Sequence, residues 1–123
     1  MADVADSHEK TVFHFAVLVY QEEIAPGRML WFARSLMTSD IGFADSERQA
    51  IDDVVEAIDI SIKVATSRGM SLARWLEMQR PDNPRWMDEW IRLREGNAGR
   101  VERFASPVDG CEIEASIAWK DAA

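Results

Sequence analysis

The side chains of this sequence that could do chemistry are two histidines, one cysteine and a large set of carboxylates. His8 stands in a polar leader. His14 lies within TVFHFAVLVY among apolar neighbours, where a lone strand histidine is more often packed or hydrogen-bonded than catalytic. No motif places a nucleophile or a second base beside it. Cys111 is the single cysteine, so neither an intramolecular disulfide nor a cysteine-based zinc site can be assembled. Asp52 and Glu56 stand one helical turn apart, but a hard cation needs several oxygens converging, and a solvated acidic face is the simpler reading. The sequence contains no G-x-G-x-x-G, P-loop, nucleophile elbow or H-E-x-x-H. No catalytic, cofactor-binding or metal-ligating residue is assigned, and the chain reads as a binder.

Two groups are candidates for partner binding. Asp52, Glu56 and Asp59 present negative charge on one helix face, where complementarity would speed association with a basic partner. Trp86 falls off the stripe Met87, Trp90, Ile91 of its helix, so it is expected to be exposed and available for contact.

Composition bounds what the chain can be. At 123 residues with 47% hydrophobic content and five tryptophans, it is one domain with a sizeable core. The net charge of −8 argues against direct nucleic-acid binding and permits a basic partner. The N-terminus lacks a signal-like pattern, and the longest apolar run, Phe15–Tyr20, is too short to span a bilayer. A single cysteine fits a reducing interior. A cytoplasmic protein away from membranes is expected.

The elements that must position these residues follow from local pattern. Thr11–Tyr20 reads as a strand buried on both faces, with Val12, Phe13, Phe15, Val17 and Val19 as core candidates. Ala25-Pro26-Gly27 marks a turn. Arg28–Met37 fits either a helix or a second strand by periodicity alone. Ser46 and Gln49 form a capping box, after which Ala50, Ile51, Val54, Val55, Ile58, Ile62 and Ala65 recur at helical spacing until Gly69. Asp52, Asp53, Glu56 and Asp59 lie on the wet face of that helix. Ser71–Met78 reads as a short helix, and Asn83-Pro84 caps a third that ends at Gly96. Pro107–Gly110 is a turn, and Cys111–Trp119 alternates with a period of two, as a half-exposed strand does. Arg100–Ser106 can pair with it as a hairpin.

The stretch Trp31-Phe32-Ala33, Leu36, Asp40-Ile41, Ala44-Asp45-Ser46 and Ala50 resembles the HicB-like antitoxin family. That family writes the region as W-x-A, a leucine three residues on, a short strand, and G-D-T/S-x-E-E-A opening a helix. Ala44 stands where glycine is usual, and Arg48 and Gln49 replace the acidic pair. The resemblance covers roughly residues 12–65 and makes Arg28–Met37 the second strand of a hairpin. It implies an α+β fold, with a small antiparallel β-β-β-α core that is degenerate ribonuclease-H-like and lacks catalytic carboxylates. It also implies a small basic mRNA-cleaving toxin as partner. The expected layout is a disordered leader over 1–10 and a single domain over 11–119. Within it, 11–69 is the core, 70–96 a helical extension, and 100–119 a strand or hairpin. The alternative to a toxin binder is a stand-alone interaction or oligomerisation module without a toxin partner, in which that extension forms an oligomer or partner interface. A homo-oligomer is expected.

Overall fold

The computed structural model describes residues 11–96, 99–105 and 111–120. The leader over 1–10, with His8, and the turn Pro107–Gly110 lie outside them. Within them the fold is α+β: five strands in one mixed sheet and three helices. Strands β1 (Thr11–Ala25), β2 (Arg28–Ser35) and β3 (Ile41–Ala44) form an antiparallel meander. Helices α1 (Glu47–Ser67), α2 (Leu72–Glu77) and α3 (Pro84–Glu95) follow, and β4 (Gly99–Ala105) and β5 (Cys111–Trp119) close the chain as a hairpin. The sheet order is β3-β2-β1-β5-β4, and β5 lies parallel to β1.

The ambiguous segment Arg28–Met37 is a strand over Arg28–Ser35, paired with both β1 and β3. Gly27 turns the chain into it at a φ of 77°, a left-handed conformation that glycine adopts without strain.

β1 is central, and its two faces feed two cores. Phe15, Val17 and Val19 point to one side, where they meet Ala33 of β2, Ile113, Ala115 and Ile117 of β5, and the apolar face of α1. Ala16, Leu18 and Tyr20 point to the other, where Phe32, Leu36, Ala118 and the inner face of α3 cover them. The period of two along a central strand thus becomes two apolar layers. Val12 and Phe13, toward the start of β1, are only half-buried. His14, expected among apolar neighbours, instead has a side chain 69% exposed. It lies on the second face, beyond the reach of the α3 cluster, and hydrogen-bonds Glu114 at 2.8 Å.

The helix starts follow the caps. The Ser46 hydroxyl accepts from the Gln49 N–H, Ser71 from Arg74, and the Asn83 side chain from Arg85, so each occupies a backbone donor that the first turn leaves free. α1 buries Ala50, Ile51, Val54, Val55, Ile58, Ile62 and Ala65. α3 is rotated from expectation. Its inner stripe is Trp86, Met87, Trp90 and Leu93, while Ile91 is exposed. The Trp90 indole N–H donates to the Ser116 carbonyl at 3.0 Å, which pins that rotation. Among the described residues, no helix is long and apolar enough to cross a membrane.

Candidate protein-interaction site

The four residues singled out for partner contact do not form one surface. α1 and α3 pack on opposite faces of the sheet, so Trp86 is separated by the sheet from Asp52, Glu56 and Asp59. Asp52 is exposed and pairs with Arg48 at 3.2 Å, one turn before it. Arg48 also reaches Glu102 on β4 at 2.6 Å, and Arg100 holds the other oxygen of Glu102 at 2.7 Å. Burial alone would raise the Glu102 carboxyl, but these two guanidinium groups outweigh it and hold it below the usual carboxylate range.

Asp59 departs from the fully wet face expected of it. It is half-buried, and its Oδ1 is buried without a hydrogen-bond partner. Burial first, and the neighbouring Glu56 second, push its carboxyl above the usual range. Trp86 is likewise not a free contact residue. It stacks on Tyr20 with centroids 5.5 Å apart, and the Arg34 and Arg85 guanidinium groups lie 4.7 and 4.9 Å from its ring centre.

The topology assembles a different surface around β3. This four-residue strand lies at one edge of the sheet. Gly42 brings it tight under α1: a Cβ there would fall 2.6 Å from the Val54 nitrogen and closer still to the Ala50 carbonyl oxygen. On the opposite face, Phe43 is 59% and Ile41 42% exposed. Phe43 leans on Phe32, Phe32 stacks on Tyr20, and Tyr20 on Trp86, so one aromatic row runs from the edge to α3. The half-buried Asp40 precedes the strand, exposed Asp45 follows it, and exposed Asp53 packs its Cβ toward Gly42. An open strand edge with exposed apolar side chains and three nearby carboxylates suits an extended basic segment, which would add as a further strand. The junction was visible in the sequence, but its place at the sheet edge was not, because strand order is a long-range property.

The floor of this surface is fixed from beneath. Arg34 donates to Asp82 at 2.7 Å and to the Tyr20 hydroxyl at 3.2 Å. Burial would lower its pKa, but these contacts overcome that effect and raise it. The Asp82 N–H donates to the Leu36 carbonyl, and Ser39 to that of Arg80, so the segment before α3 is tied to the turn between β2 and β3.

On β1, β4 and β5 a further group of charges is engaged with one another. Arg103 bridges Glu114 at 3.1 Å and Glu112 at 3.3 Å, next to the His14–Glu114 pair. Among the described residues, no three histidine, cysteine, aspartate or glutamate side chains are grouped to hold a metal ion. No protein-family model, curated protein or solved structure matches the chain.

Proposed function

We propose that the chain is a non-catalytic, cytoplasmic HicB-like protein that binds and neutralises a small basic toxin. The observation that carries this reading is the open β3 edge, with Ile41 and Phe43 exposed and Asp40, Asp45 and Asp53 around it. The meander β1-β2-β3 leading into the Ser46-capped helix supports the degenerate ribonuclease-H-like core that the sequence resemblance implies. Direct nucleic-acid binding is not part of the reading: the net charge of −8 opposes a phosphate-tracking surface, and Arg34, Arg48, Arg92, Arg100 and Arg103 are engaged by carboxylates.

The test is co-expression of the tagged chain with any small basic protein encoded beside its gene, followed by capture and a growth assay. Co-purification with relief of growth arrest is the expected result. Failure to capture any such partner, or an unrelieved arrest, overturns the reading.

A second reading is a self-associating module without a toxin partner. The apolar groove between α1 and α2, lined by Val64, Trp75 and Met78, favours it.

A further inference from the structure

α1 carries a stripe that the domain does not cover. Ile60 and Val64, one turn apart, are 54% and 43% exposed, although the inner face of the same helix is fully packed. Beside them a cavity of about 400 Å³ opens between α1 and α2, lined by Ser61, Val64, Ala65, Trp75 and Met78 among others. Met78, which lines it, is 56% exposed, and Leu76 of α2 is 40% exposed. The Trp75 indole forms the floor and is held by a 2.9 Å hydrogen bond to the Ser61 hydroxyl.

The charges at the two ends of the stripe specify what fits it. Glu56 stands four residues before Ile60, and Arg68 four residues after Val64. Acid, isoleucine, valine and base at spacings of four are self-complementary when two such helices run antiparallel about a two-fold axis. An axis at the level of Ile62 sets Ile60 against Val64 of the partner subunit. It also sets Glu56 against Arg68 of the partner subunit, and symmetry makes each contact twice. The same register sets Lys63 against Ser61 and Asp59 against Ala65, so no like charges meet. Glu56 and Arg68 have no ion-pair partner among the described residues, so both are available.

We propose that the chain forms a two-fold dimer through this face, with Ile60 of each copy entering the α1–α2 groove of the other. The proposal gives the self-association reading a surface, rests on that reading, and does not depend on a basic partner. It leaves the β3 edge open, because α1 packs its inner face on the sheet and dimerises through its outer one.

The test is the oligomeric state of the full chain and its variants by light scattering and sedimentation, with circular dichroism confirming that each variant folds. The parent is expected to be a dimer at micromolar concentration and Ile60→Asp a monomer. Glu56→Arg and Arg68→Glu are each expected to weaken association about tenfold by turning two attractions into repulsions. The double variant E56R/R68E is expected to recover to within about threefold of the parent, because the reversed pairs attract again. A monomeric parent overturns both this proposal and the self-association reading. A dimer indifferent to Ile60→Asp, or a double variant no better than the singles, overturns this surface alone. None of these outcomes bears on capture of a basic partner.

Discussion

The indole of Trp86 lies flat against the phenol ring of Tyr20, centroids 5.5 Å apart and planes 7° from parallel. This contact joins α3 to the central strand and turns a residue that sequence spacing marks as exposed into a packing residue. Trp86→Ala removes the stack and the platform for Arg34 and Arg85. It is expected to destabilise the fold by about 2–3 kcal/mol, measured by urea denaturation. A loss within experimental error would mean that α3 does not dock on β1 as described.

Gly42 is the position where β3 passes closest to α1. A methyl group there would meet helix backbone, which cannot rotate away as a side chain can. Gly42→Ala is expected to cost at least about 2 kcal/mol. Alanine placed at the open turn glycine Gly69, where nothing crowds a Cβ, serves as a contrast, since its cost there comes from the positive φ alone.

Asp59 is a carboxylate whose folded pKa is raised, so ionising it costs more in the folded chain than in the unfolded one. Stability therefore falls as pH rises from the ordinary carboxylate value through the raised one, and the full penalty is present above it. Asp59→Asn is expected to stabilise the protein at pH 7, by less than about 1 kcal/mol because the group is partly solvated. The gain should vanish at acid pH. Thermal melts of both proteins at neutral and acid pH measure the difference.

Glu102 behaves in the opposite sense. Its folded pKa is lowered, so its contribution is present above the ordinary carboxylate value and is lost as pH falls through the folded one. Glu102→Gln is expected to cost about 0.5–1 kcal/mol at pH 7, as a partly exposed ion pair would. The deficit relative to the parent should shrink on acidification. A deficit that does not depend on pH would assign the effect to packing.

Phe43 is exposed in the isolated domain, so its replacement should leave the fold nearly untouched while altering the β3 edge. Phe43→Lys is expected to change stability by no more than about 0.5 kcal/mol. It should reduce capture of a basic partner at least about tenfold by removing apolar contact and adding like charge. Equal capture by parent and variant, in a pull-down titration, would exclude this edge as the binding surface.

Which of these features were legible in the sequence follows from how far apart the interacting residues lie. The caps Ser46, Ser71 and Asn83 act on N–H groups two or three residues away, and the stripe of α1 repeats within four, so helix starts and the buried face of α1 could be read directly. The alternation of β5 and its hairpin with β4 were legible for the same reason. The strand assignment of β2 was not settled by periodicity. It came from the resemblance of the stretch between Trp31 and Ala50, and pairing with β1 on one side and β3 on the other bears it out.

Tertiary structure alone decided the rest. His14 and Glu114 meet across 100 residues, and Arg34 and Asp82 across 48. Helical spacing on α3 accommodated either Trp86 or Ile91 as the inward residue, and only docking on Tyr20 and Ser116 chose Trp86. The wet face of α1 was correctly placed for Asp52 and Glu56, but the helix's neighbours bury part of Asp59. By itself the sequence determined the helices, their caps, the amphipathic face of α1 and the alternation of β5, because those depend on residues within one or two turns. The order of the strands, the exposed β3 edge and the separation of the acidic ridge from Trp86 depend on which distant surfaces pack together. That choice is made by the shape and burial of the whole core.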